Sequence, residues 1–475
     1  MATPATARAA PPLLYSHPAA QIAVASAGLV ALAAAFHYVY RLGDLKLYVV
    51  ETIGAGLAAG IAWLVILFLL EKTSDCPVVF WIVLVGALVF RAQLFPLPQS
   101  LSDDVHRYRW DARVQAAGFN PYTIRPDDPR AEHLRDAYWA KTPGLDIPTI
   151  YPPLAELIHL WTYRAIAHRP PAEQLLLFKL PGLGADLLVL GLLAIWVRAT
   201  HARNYQLAIY AWNPLVVVEF AASGHNDALA MAGVVAASLV IIRGRRGLST
   251  LLLAAAALAK LFPVVLIPAA LGRAGWPRKW QGWAAALAVA ALFIACAWPY
   301  HAALGELRAI LVSYEGRWMA NNAGLWSFLR WFSGSRELAT GIGVGCVAGL
   351  MVWLAASPKL RTPDAGSGIQ AAQDSARAAF LLTAAIFLFS PNAFPWYFLW
   401  SMPLLAMRPC DGASGMFRTP WLLLSVTQFL SYHVLIDFAA SGKWYFQPEY
   451  LWLTYGPFFA LAGWMLLRKQ EACAE

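Results

Sequence analysis

The chain is dominated by recurring apolar runs of about 18 to 24 residues, parted by short polar intervals that hold most of its arginines and lysines. A helical run of that length matches one hydrocarbon core, and a backbone in lipid must satisfy its own hydrogen bonds. The expected fold class is therefore all-α: a polytopic transmembrane helical bundle. Composition agrees, with 59% hydrophobic and 13% charged residues, against about 25% charged in soluble domains. The 21 tryptophans suit helix ends that meet headgroups. The net charge of +9 lies in clusters between the runs, which is a topology signal and argues against nucleic acid as a partner. Cys76, Cys296, Cys346, Cys410 and Cys473 have no metal-like spacing and read as packing residues.

Apolar runs lie at 20–40, 48–70, 77–95, 174–198, 205–222, 225–242, 281–299, 336–356, 377–391, 395–408, 418–437 and 450–467. They predict about 12 spans, with 20–40 an uncleaved first span rather than a signal peptide. Pro263 and Pro268 divide 248–271 into a broken, re-entrant pair, and Pro153–Ala167 reads as an interfacial helix in a proline-rich loop. The chain then divides into a cytoplasmic tail (1–19), three spans (20–95), an external acidic loop with juxtamembrane helices (96–173), a central transmembrane module (174–299), an external loop (300–335), C-terminal spans (336–467) and a cytoplasmic tail (468–475). This arrangement puts the clusters around Arg198/Arg203, Arg243–Arg246, Arg273–Lys279, Lys359–Arg377, Arg408/Arg418 and Arg468/Lys469 on the cytoplasmic side, with Arg41 and Lys46 as exceptions.

On the opposite side the polar islands gather. LSDDVHRYRWD, from Leu101 to Asp111, crowds Asp103, Asp104, Arg107, Tyr108 and Asp111 beside a membrane span. On a helix, Asp103–Arg107–Asp111 would form an i,i+4 ion-pair ladder, which competes with a catalytic reading. His225, Asn226 and Asp227 join two apolar runs, and Glu219 lies within one; ionised groups at such depth face an interior or a cavity. Lys260 sits deep in AALAKLFPVVLIP and needs an anion, either a lipid phosphate or a carboxylate such as Asp227. Tyr314, Arg317, Trp318, Asn321 and Asn322 mix a cation, aromatics and amides in a way that suits a sugar or phosphate. No P-loop, dinucleotide fingerprint, zinc helix or GxSxG elbow is present, so a group-transfer enzyme of this kind would take its donor from the membrane.

In order, SDDVHRYRWD with GFNPY, TIYPPLAEL, WNPL with SGHNDAL, AKLFP and SPNAFPWYFLW resemble motifs of the GT-C superfamily of integral-membrane glycosyltransferases, and most of all bacterial polyprenyl-phosphomannose-dependent mannosyltransferases. The resemblance covers about residues 77–405. It departs in one place, with Asp-Asp where several relatives have Asp-Glu or a spaced pair.

The resemblance implies transfer of a hexose, mannose for preference, from a polyprenyl-phosphate sugar to a lipid or glycan acceptor. The active site would lie on the external face of a bacterial plasma membrane. Because phosphate leaves readily, one carboxylate base suffices, and inversion at C1 is expected. Asp103 is the first candidate for that base, with Asp104 as rival or orienting partner. Lys260, Arg317, Arg107 and Tyr151 would bind the donor phosphate. His225, Asn226, Asp227, Tyr108, Asn321, Asn322 and Trp396 would orient the acceptor. No cofactor is required by this scheme, and dependence on a divalent metal is left open. A secondary transporter is the competing class, since Glu219, Asp227 and Lys260 could bind ions, but only one clear helix break, at 260–268, is legible.

Overall fold

The computed structural model describes residues 17–99, 101–303, 305–306, 324–357, 368–408, 413–442, 444 and 446–474. They fold into helices and connecting turns, and nine of the helices among them are long and apolar enough to cross a membrane. The first three, α1 (Pro18–Leu42), α2 (Val49–Glu71) and α3 (Pro77–Leu94), follow the first three apolar runs. Pro18 and Pro77 sit in their first turns, where a missing N–H costs nothing.

Next comes a connection that is folded rather than slack. It holds α4 (Asp104–Ala116) and α5 (Pro153–Ile166), with two short 3₁₀ turns between them. The sequence of α4, DVHRYRWDARVQA, is polar, yet nearly all of it is buried. Burial is tolerable because the charges have partners. Arg109 and Arg113 both reach Asp136, at 2.7 and 2.5 Å, and Arg109 also donates to Gln174. One face of α4 packs Val105, Tyr108 and Ala112 against Tyr151 and Ala155; another packs Trp110 and Val114 on Ile124 and Ala131.

Pro171–Thr200 reads as one span, made of α6 (Pro171–Leu177) and α7 (Leu180–Thr200). At the 205–222 run the chain does not form one continuous helix. It makes α8 (Leu207–Ala211), α9 (Pro214–Val217) and a π-turn from Val218 to Ser223, then α10 (Ala228–Ile241). Pro214 cannot donate to α8, and Asn213 restarts the helix by accepting the Val216 N–H.

The 248–271 run breaks where its prolines lie: α11 (Arg246–Ala259) ends at Lys260, a 3₁₀ turn spans Phe262–Leu266, and α12 (Ile267–Ala274) follows. The later spans are α13 (Trp280–Ala297, extended by a 3₁₀ turn to Ala303), then helices Arg336–Ala356, Gly368–Phe389, Arg418–Ser441 and Pro448–Arg468. The run at 395–408 is again broken, into Pro395–Phe398, a 3₁₀ turn and Met402–Ala406. The run at 377–391 belongs to a helix that begins nine residues earlier.

Two ion pairs, the first of them fully buried, fix these pieces. Arg91 on α3 meets Asp186 on α7 at 2.5 Å, and Asp186 also accepts the Tyr210 hydroxyl of α8. At one end of the bundle Arg418 reaches Glu71, Arg203 caps the carbonyls of Leu70, Glu71 and Thr73, and Gln206 bonds the Arg408 carbonyl. These are members of the basic clusters expected together. Lys46, an exception to that pattern, lies instead 2.9 Å from Asp103.

Candidate active site

Asp103 and Asp104 separate at the start of α4. Asp103 is the N-cap, outside the helix, so the i,i+4 spacing to Arg107 does not apply, and it pairs with Lys46. Asp104 opens the first turn, where the helix dipole favours an anion, and its N–H bonds the Ser102 hydroxyl. Asp104 Oδ2 accepts from the Tyr108 hydroxyl at 3.4 Å and lies 3.8 Å from His225 Nε2.

Arg107 and Asp111 form the other half of the expected ladder, buried and 2.9 Å apart. Arg107 also donates to the carbonyls of Pro143, Gly144 and Ile147. Its donors thus tie the loop to α4 and leave it fully engaged, although a phosphate contact was expected of it. Beneath it lies a second buried carboxylate, Glu156 of α5, which accepts from Thr149 and Gln115 at 2.7 and 2.6 Å. Burial pushes Asp111 and Glu156 each up to about 7, with Arg107 opposing the rise in both. Burial pushes the His159 and His106 imidazoles down to about 4.

The turn 224–227 supplies the next three residues. Gly224 has φ +79°, and a Cβ there would sit 2.6 Å from Lys179 Cγ. Gly182 on α7 lets that helix pass so close that its Cβ would fall 2.3 Å from the His225 carbonyl oxygen. His225 is fully buried, stacks on Trp396 at 4.0 Å, and places Nδ1 2.6 Å from a Glu219 carboxylate oxygen. Asn226 contacts His159 Nε2 at 3.2 Å, and His159 stacks on Tyr108.

Asp227, also fully buried, accepts from Lys260 Nζ at 3.0 Å and from the Trp400 indole at 2.6 Å. Lys260 keeps a little exposure; its ammonium lies 5.3 Å from the Tyr397 ring and 6.0 Å from the Tyr151 ring. Tyr151 in turn meets Tyr108 edge-on at 5.0 Å. Burial, with Asp104 next, raises the Tyr108 and Tyr151 phenols well above their usual range, so both stay O–H donors.

The three helix breaks at 212–227, 260–266 and 395–402, the start of α4 and the turn before α5 therefore deliver Asp104, His225, Asp227, Lys260, Trp396, Tyr108 and Tyr151 to one place. Arg317, Asn321 and Asn322, with Tyr314 and Trp318, lie outside the described residues. Sequence reasoning did not single out His159, Trp400 or Lys179. The first two carry no spacing signal. Lys179 is buried against the carbonyls of Phe95 and Leu97, where it caps the end of α3. Among the described residues no three His, Cys, Asp or Glu side chains are set to hold a metal ion.

The described helices form a polytopic bundle whose broken segments meet at a buried acid–base cluster, and comparison with known proteins names the class and the family. Residues 16–274, more than half of the chain, match the family described as α-(1→6)-mannopyranosyltransferase, N-terminal domain, and the chain belongs to that family. No curated protein and no solved structure matches it. It is a multi-pass membrane protein of mannosyltransferase type.

Proposed function

We propose that the protein moves mannose from a polyprenyl-phosphate donor to an acceptor hydroxyl at the outer face of a bacterial plasma membrane, in one inverting displacement. The observation that carries this reading is that Asp104 and Lys260, an anion and a cation, flank one aromatic wall made of Tyr108 and Tyr151. A displacement at C1 needs a base on one side of the sugar and charge stabilisation for the departing phosphate on the other.

Asp104 is the base in this scheme, oriented by the Tyr108 hydroxyl. Asp103, held by Lys46, fixes the entry of α4. Lys260, steadied by Asp227 and Trp400, meets the donor phosphate at the break after α11, and Arg317 is a second candidate for that task. Arg107 supports the site indirectly, by binding the loop carbonyls that shape it. Tyr151 and Tyr397 border the Lys260 ammonium, Trp396 holds His225 by stacking, and Asn226, Asn321 and Asn322 are amides suited to hydroxyls. Inversion of a β-linked phosphate donor gives an α-mannoside, the linkage in the family's description. The acceptor is a lipid or a glycan.

The test is an assay of the purified full-length protein with labelled polyprenyl-phosphate mannose and short mannoside acceptors. An α-linked product is expected. Transfer from a nucleotide sugar alone, or none from any lipid-borne donor, would overturn the reading.

A further inference from the structure

Glu219 stands outside the scheme above, yet its placement is more specific than packing requires. Glu219 is fully buried, and a carboxylate in apolar surroundings is costly without a partner, so its nearest contact matters. The π-turn Val218–Ser223 inserts one extra residue into the helix, and the His225 N–H then bonds the Glu219 carbonyl at 3.1 Å. The same turn brings the Glu219 carboxylate to 2.6 Å from His225 Nδ1. A carboxylate oxygen 2.6 Å from Nδ1 favours the proton on that nitrogen, which leaves Nε2 free, 3.8 Å from Asp104 Oδ2. Trp396, stacked at 4.0 Å, keeps the ring from rotating.

We propose that Glu219 is a positioning residue: it fixes the His225 tautomer so that Nε2 receives the proton which Asp104 takes from the acceptor. This rests on the function proposed above. As the acceptor oxygen bonds to C1, the C1–O bond breaks and its electron pair leaves with the polyprenyl phosphate. The acceptor proton passes to Asp104, then to Nε2, and the imidazolium formed is balanced by the Glu219 carboxylate until water takes the proton. The charged groups facing His225 are Glu219 from the π-turn, Asp104 from α4 and Asp227 from its own turn, with Lys179 packed against Gly224 but committed to the Phe95 and Leu97 carbonyls.

The experiment compares wild type, Glu219→Gln and Glu219→Asp as full-length protein in lipid nanodiscs, by ¹⁵N-histidine NMR and by mannosyl transfer, with His225→Gln identifying the resonance. In wild type the neutral ring should carry its proton on Nδ1. Glu219→Gln should lose that preference, cut kcat by about 10²- to 10³-fold with little change in KM, and move the acidic limb of the pH–rate profile to lower pH. Glu219→Asp should restore part of both signals. An unchanged tautomer in Glu219→Gln, or kcat within about twofold of wild type, overturns the inference. If wild type transfers no mannose, the proposed function fails, whereas the NMR comparison still decides the link between Glu219 and His225.

Discussion

Lys260 Nζ lies 3.0 Å from Asp227 Oδ2, and the other Asp227 oxygen accepts the Trp400 indole N–H at 2.6 Å. The pair joins the break after α11 to the turn before α10 and to the broken segment around 395–402. Removing only the lysine leaves a fully buried carboxylate with one neutral donor, a change that costs about 3–5 kcal/mol for buried pairs. Lys260→Met should therefore lower the melting temperature, and Lys260→Met with Asp227→Asn should recover much of the loss. Neither variant should regain donor use, read as a raised KM for the lipid donor. Recovery of activity in the double variant would remove Lys260 from the phosphate.

The two aspartates at the start of α4 should differ in kind. Asp104→Asn should lower kcat by about 10²- to 10⁴-fold, the usual scale for a lost acid–base group. Asp103→Asn should have a smaller effect, matched by Lys46→Met because both break one ion pair. Rates measured at saturating donor would reverse the assignment if Asp103→Asn proved the more damaging.

Gly182→Ala and Gly224→Ala probe how closely α7 must pass the 224–227 turn. The first puts a methyl 2.3 Å from the His225 carbonyl oxygen; the second adds a side chain at φ +79° and 2.6 Å from Lys179 Cγ. Overpacking of this kind costs about 1–3 kcal/mol. Both variants should insert and melt at lower temperature, and Gly182→Ala, which displaces the turn directly, should also lose transfer.

The carboxyl groups of Asp111 and Glu156 carry a pH signature with a fixed sign. Each is raised to about 7 by burial, above the value of about 4 in an unfolded chain. The folded state then binds more protons between those values, so their contribution to stability falls as pH rises from about 4 to about 7. His106 and His159, lowered to about 4, act in the opposite sense below about 6.5. Wild type alone would hide the effect, but a difference measurement isolates it. Relative to wild type, Glu156→Gln should gain about 1–3 kcal/mol between pH 5 and pH 8. Hydrogen exchange across 104–166 at the two pH values checks this; a variant whose deficit does not change with pH contradicts it.

Much of the bundle was legible because lipid imposes a length and an apolar character on any span, and those properties are local. The first three spans appear almost as their runs predict, and Pro263 with Pro268 marked the break at Lys260 because proline removes a donor wherever it stands. Lys260 demanded an anion on burial alone, and Asp227 is that anion. The breaks at 205–222 and 395–408 were not legible. Apolar composition there is the same for a continuous helix and for buried fragments, and only packing tells them apart.

The sequence by itself determined that this chain is a helical membrane protein, that its acidic segment sits beside a span, and that its motifs are of the mannosyltransferase kind. Tertiary structure decided which partner each charge takes. Asp103 went to Lys46, 57 residues away in sequence, Asp104 to His225 and Tyr108, and Arg107 to Asp111 and the loop carbonyls. The reason is physical: ion pairs and stacked rings act over a few ångströms in space, and residues so far apart along the chain reach that range only after the helices have packed.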